Sequence, residues 1–140
     1  MTTVDAEIQE SIVAFNYTAG DGKMVAVTSS GKVWKGTAAD MAQNADSISF
    51  PTNGVAGKPI PTFIDGSGNL VFQGSSVFYS ISIEGTVSQI SDVYAQNLRA
   101  STFKVTSLLY DAANGDLYGG SAKNGLFVVE DLNADEVQWL

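Results

Sequence analysis

The stretch that decides the reading is VTSLLYDAANGDLYGGSAKNGLFVVEDLN, residues Val105–Asn133. Three apolar runs, Val105–Tyr110, Leu117–Tyr118 and Leu126–Val129, are separated by turn residues at Asn114-Gly115 and at Lys123-Asn124-Gly125. Turn residues at that spacing between apolar runs predict a three-stranded antiparallel meander. Two earlier stretches, MVAVTSSGKVWKGTAAD (Met24–Asp40) and PTFIDGSGNLVFQGSSVFYSISIEG (Pro61–Gly85), repeat its first two runs and their punctuation. The chain is therefore built from copies of one unit.

The copies align on a short signature: an apolar residue, an aromatic one, any residue, Gly, then Ser or Thr. It reads Val33-Trp34-Lys35-Gly36-Thr37, then Val71-Phe72-Gln73-Gly74-Ser75, then Leu117-Tyr118-Gly119-Gly120-Ser121. Gly36 and Gly74 are 38 residues apart, and Gly74 and Gly120 are 46 apart. Periods of about 40 to 50 residues are those of propeller blades, each a four-stranded antiparallel sheet. The runs Val25–Val27, Leu70–Phe72 and Leu126–Val129 are continuously apolar rather than alternating, so their strands are expected to be covered on both faces. Packing between neighbouring blades would do that. Gly36, Gly74 and Gly120 are then places where an adjacent backbone comes close.

These observations predict an all-β chain: three β-propeller-like blades of antiparallel strands over residues 12–51, 60–95 and 103–140, after an N-terminal arm over residues 1–11. The third blade is expected at Val105–Asp111, Asp116–Ala122, Gly125–Asp131 and Glu136–Leu140, and the second at Thr62–Asp65, Leu70–Gly74, Val77–Ile83 and Val87–Val93. The first departs from the pattern after Thr37. Ala38–Asp46 favours a helix of one or two turns, capped by Thr37 and Asp40, or an irregular loop, with Ile48–Phe50 as the outer strand. Ile12–Tyr17, closed by Gly20-Asp21-Gly22, precedes the first copy and is expected to add an outer strand to the last blade of its own or a neighbouring chain. Thr52–Pro61 and Gln96–Thr102 read as linkers.

Val105, Ser107, Leu108, Asp111, Gly115, Leu117, Tyr118, Gly120, Ser121, Gly125 and Leu126 of the third copy resemble the repeat of two-component-regulator-type propellers. Over about residues 24–140 the resemblance implies a propeller fold, and propellers host enzymes, sensors, lectins and scaffolds alike. Only Trp34 places tryptophan at the aromatic position, with Phe72 and Tyr118 in the other copies. The Asp-box of sialidases is not matched, because Ser29 stands where its Asp would be, and Arg99 is the chain's only arginine. Sialidase chemistry, which needs an arginine cluster, is not expected.

Composition narrows the function classes. A chain of 140 residues makes one domain, and about 68–70% of the unfolded surface of a chain this size is buried on folding. Its formal charge is −8, from 15 acidic and 7 scattered basic residues. Nucleic-acid and anionic-membrane partners need a concentrated cationic surface and are not expected. With neither His nor Cys, a serine or cysteine nucleophile lacks its usual general base, so an enzyme is not expected either. No secretory signal is legible at the N-terminus and no apolar run approaches 18 residues, which predicts a soluble protein.

Asp65-Gly66-Ser67-Gly68-Asn69 carries alternating oxygen ligands like the first half of a calcium loop, with Asp65, Ser67 and Asn69 as the candidate donors. Ser76 stands where the bidentate Glu would be, so a tight hairpin is the expected role, as at Asp111–Asp116. No cofactor is implied. Trp34, Phe72 and Tyr118 are expected as wedges between blades, or else as a stacking platform for sugars. Trp139 is expected at a partner contact.

Three blades do not close a ring of the usual 4 to 8. The expected product is a partial propeller completed by oligomerisation, with a homodimer of six blades favoured. The Gly/Ser/Thr/Asn-rich, cysteine-free composition resembles that of bacteriophage virion proteins. A non-catalytic appendage or decoration component, in the virion or in the cytoplasm before assembly, is the favoured expectation. A glycan-binding lectin and a scaffold or sensor subunit of a bacterial complex are its rivals.

Overall fold

The computed structural model of the chain describes residues 8, 10–48, 60–73, 78–90, 105–130 and 137–140. Among these residues there are twelve strands and no helix. They form three four-stranded sheets, each an antiparallel meander in sequence order. The first sheet holds β1 (Ile12–Tyr17), β2 (Met24–Thr28), β3 (Lys32–Thr37) and β4 (Asp40–Ser47). The second holds β5 (Thr62–Ile64), β6 (Leu70–Gln73), β7 (Phe78–Ile81) and β8 (Val87–Ile90). The third holds β9 (Val105–Asp111), β10 (Asp116–Ser121), β11 (Gly125–Val129) and β12 (Gln138–Trp139). The expected fourth strand at the C-terminus is thus present, and Gly74 and both expected linkers, except Ile60 and Pro61, lie outside the described residues.

The core lies between sheets. One buried cluster joins Val25, Val27 and Val33 of the first sheet to Leu70, Phe72, Tyr79 and Ile81 of the second. The other joins Phe63, Val71 and Phe78 of the second to Leu117, Phe127 and Val129 of the third. The alternation of a strand explains how one sheet serves both clusters. Leu70 and Phe72 project to one side of β6 and Val71 to the other, so all three are buried and the run reads as continuously apolar. Phe72, Phe78 and Phe127 are fully buried, and burial of each contributes about 1.5–3 kcal/mol.

Two expectations about the first sheet are corrected. Ile12–Tyr17 does not join the last sheet: it pairs antiparallel with β2, with Tyr17 opposite Met24 and Phe15 opposite Ala26. It is the opening strand of its own sheet, and Val13 and Ala14 enter the core. The segment expected as helix or loop, Ala38–Asp46, is mostly strand. Thr37 pairs with Asp40 across a two-residue turn, so the capping pattern marks a hairpin. Without β4, the far edge of β3 would present a row of unpaired N–H and C=O groups, and that demand overrides the helix preference of Ala, Met and Gln. β4 is mostly exposed and carries Asp40 and Asp46, charges that discourage edge pairing with other chains.

The phase of the repeat is corrected as well. The first hairpins close at Thr18 and Lys23, at Asp65 and Asn69, and at Asp111 and Asp116. Counted from these closures, Met24, Leu70 and Leu117 are equivalent, at steps of 46 and 47 residues. Trp34 lies on the third strand of its sheet, not the second, and its equivalents are Tyr79 and Phe127. Phe72 is equivalent to Ala26 and Gly119, and Tyr118 to Val25 and Val71. The three signature aromatics therefore occupy three different places.

Candidate functional site: two open sheet faces

The first and third sheets each have one face inside the stack and one outside. Cross-strand pairing assigns the outer faces. On the first sheet Phe15, Ala26 and Trp34 are in register, with Tyr17 and Met24 beside them. On the third, Leu109, Tyr118 and Val128 form one row, and Ser107, Gly120 and Leu126 the next. Large apolar side chains stand in solvent there: Phe15 is 51% exposed, Tyr17 49%, Leu109 69% and Leu126 62%.

Trp34 adds a polar defect to the first of these faces. Its Nε1–H is buried and, among the described residues, has no acceptor. A buried donor left unpaired costs about 1–3 kcal/mol. On the opposite outer face, Leu109, Tyr118, Gly120, Leu126 and Leu140 line a hollow of about 210 Å³. Gly120, which has no side chain to raise on this face, leaves that depression, and Gly119 faces the other way. The ring of Phe127 fills the space a Gly119 side chain would need.

Gly36 and Gly120 each serve their own sheet. A side chain at Gly36 would run into the Asp40 backbone carbonyl, and one at Gly120 would meet the Ser107 hydroxyl. Close approach is thus by the neighbouring strand of the same sheet. Phe72 is a wedge between sheets, whereas Tyr118 is 39% exposed on the outer face of the third. Trp139 pairs with Phe127 and meets its ring edge-on at 5.5 Å, leaving the indole partly in solvent.

The Asp65 turn has the features of a backbone device. One carboxylate oxygen of Asp65 accepts from the Ser67 and Asn69 backbone N–H groups, each at 2.9 Å, and the other accepts from the Asn69 side-chain amide. Asp111 repeats this with Ala113 N–H and the Asn114 amide. These oxygens are engaged in ordering turns. Among the described residues no cluster of three or more metal-ligating side chains occurs.

In the first sheet the corresponding turn is held by Thr18, whose hydroxyl donates to Asp21 and, with the Lys23 N–H, lowers the Asp21 pKa. Lys23 in turn donates to Glu84 of the second sheet, and that bond raises the lysine's pKa. A hydrogen bond from Ser30, with Lys32 beside it, lowers that of Glu10.

A third feature lies where the opening strands converge. Phe15, Asn16 and Tyr17 of β1, Phe63 and Ile64 of β5, and Leu109 and Tyr110 of β9 line a groove of about 310 Å³. Tyr17, Ile64 and Tyr110 are equivalent positions in the three sheets. This convergence is not legible in the sequence, because the pairing of β1 with β2 depends on register that the residues of Ile12–Tyr17 alone do not encode. Phe15 and Tyr17 escape a reading of the sequence for the same reason, and Leu109 and Leu126 because their strands look alike on both faces. Their signal was present in the equivalence of Leu109 with Phe63 and of Leu126 with Phe78, once the hairpin closures are aligned.

No protein-family model matches the chain, and no curated protein matches it in sequence. Two solved structures resemble it over 99% of its length. One is described as the structure of U3-55K, with a TM-score of 0.52 and 14% identity, and this chain spans 40% of it. The other is PorZ of Porphyromonas gingivalis, described as an essential bacterial surface component of the type-IX secretion system, with a TM-score of 0.49 and 10% identity, of which 15% is spanned. At such identities the likeness to U3-55K speaks to the fold alone.

Proposed function

We propose that the chain is a non-catalytic structural and interaction module. In this reading it is a partial β-propeller whose stacked sheets are continued by sheets of another polypeptide. The observation that carries it is the pair of apolar outer faces: the residues equivalent to Leu109 and Leu126 are Phe63 and Phe78, which are buried between sheets. Apolar surface of that kind favours association. The absence of His and Cys, together with the engagement of Asp65 and Asp111 in their own turns, argues against catalysis.

Composition supports one setting, an appendage or decoration component of a bacteriophage virion. The test is fractionation of particles on a density gradient with an antibody to the chain. Co-migration with infectious particles is expected, and recovery only in the free-protein fractions would contradict the setting.

The groove at β1, β5 and β9 favours a second reading, glycan binding. It brings Tyr17 and Tyr110 together with Asn16 and Thr62, the aromatic and polar mixture on which sugars stack. Binding on a glycan panel that is lost in Tyr17→Ala would establish it. A blank panel would remove it.

A further inference from the structure

We infer that the partner of the open faces is a second copy of this chain, docked head to tail, with the outer face of the third sheet of one copy on the outer face of the first sheet of the other. The inference rests on the reading of those faces as assembly surfaces, and adds which face meets which.

The argument comes from the two joints inside the chain. In each, one sheet contributes a trailing face and the next contributes a leading face. The first joint sets Val25, Val27 and Val33 against Leu70, Phe72 and Tyr79. The second sets Phe63, Val71 and Phe78 against Leu117, Phe127 and Val129. By equivalence, Leu109, Tyr118 and Leu126 form a third trailing face, matching Phe63, Val71 and Phe78. Trp34 marks a third leading face, because it stands where Tyr79 and Phe127 stand in the two joints. One chain thus carries an unused half of each kind, and both joints it makes set a trailing face on a leading one.

Shape agrees with this pairing. The leading face raises the bulky side chains Phe15, Tyr17 and Trp34, while the trailing face of the third sheet has the hollow at Gly120. Where the three sheets of one copy sweep half a turn, two copies joined in this way use both faces of each and close around a two-fold axis, and a different sweep would give a larger assembly.

The experiment uses two full-length variants, Phe15→Lys on the leading face and Leu126→Lys on the trailing face. Both side chains are more than half exposed, so the fold should tolerate the change, and circular dichroism of each variant checks this. Masses are then measured by sedimentation equilibrium for the native chain, for each variant alone and for an equal mixture. The inference expects a native two-chain species, each variant alone at one chain, and a two-chain species restored in the mixture, whose intact trailing and leading faces still fit. Tyr17→Lys with Leu109→Lys serves as a replacement pair if either variant unfolds, with the same expectations. Association of the Phe15→Lys variant by itself would mean that trailing faces meet each other, and would overturn the head-to-tail arrangement while leaving assembly through open faces intact. A native chain that stays at one-chain mass throughout would overturn both.

Discussion

Gly119 lies opposite Phe127 in the third sheet, and the Phe127 ring rests where a Gly119 side chain would be. The same pair of positions holds Ala26 with Trp34 in the first sheet and Phe72 with Tyr79 in the second. A large ring packed over a minimal partner is one way to fill a sheet face without crowding. Gly119→Ala is expected to destabilise by about 1–3 kcal/mol through overpacking. Gly120→Ala should cost less, because the atom its methyl meets first is the Ser107 hydroxyl, which can rotate. Urea denaturation of the two variants checks the order, and equal midpoints would contradict it.

Phe72 and Tyr118 share a sequence signature but not an environment. Phe72→Ala removes a fully buried ring from the joint of the first and second sheets and is expected to cost about 3–5 kcal/mol. Tyr118→Ala, on an outer face, is expected to leave the midpoint of the dissociated chain within about 0.5 kcal/mol of native. Comparable losses at the two sites would show that the phase of the repeat is wrongly assigned.

Gly36 and Gly115 both have left-handed backbone, at φ of 133° and 76°. Only Gly36 backs onto a carbonyl, that of Asp40, whereas nothing lies near Gly115. Gly115→Asn should be nearly neutral, since Asn visits that region. Gly36→Asn should destabilise by more than about 1 kcal/mol. Thermal unfolding monitored in the far ultraviolet distinguishes them.

Trp34→Phe removes the unpaired indole N–H while keeping an aromatic ring. The isolated chain is expected to be as stable as the native one or slightly more so, because a buried unsatisfied donor is lost. Its association should be unchanged, because the N–H lies beneath the chain's own surface. Denaturation at low concentration and sedimentation at high concentration read the two effects separately, and a large loss of stability in the isolated chain would count against this account of Trp34.

Acid should lower the stability of the protein slightly through two of its carboxylates. Thr18 and the Lys23 N–H hold Asp21 below its ordinary value of 3.8, and Ser30 with Lys32 holds Glu10 below 4.5. Folded values below unfolded ones mean that the folded state binds fewer protons, so the stabilisation is present above those ordinary values and is lost as pH falls through the folded ones. Both groups are exposed, so the effect is modest. Thr18→Val should raise the Asp21 titration midpoint towards 3.8, as followed by side-chain NMR. An unchanged midpoint would contradict the assignment.

Much of the architecture was legible because turn chemistry is local. Asn114-Gly115 and Lys123-Asn124-Gly125 bracket β10, and Val105–Asp111 is a strand over its whole expected length. What failed in the first sheet failed for non-local reasons. Ala38–Asp46 has helix-favouring residues, and only the unpaired edge of β3 makes part of it a strand. Aligning Gly36 with Gly74 and Gly120 caught a real resemblance of short segments, but strand rank within a sheet is set by pairing, which Val33–Thr37 does not encode alone. The outer faces were legible only as an inference that the sheets have ends. Which residues stand there follows from register, and a one-residue error in register exchanges the two faces.

The measurement that reaches the centre of the account is the absolute mass of the native chain in solution, by sedimentation equilibrium over a wide concentration range. Sheets that end in unused leading and trailing faces are expected to give a species of twice 14.7 kDa that persists on dilution to the micromolar range. A single, concentration-independent species of 14.7 kDa would contradict it.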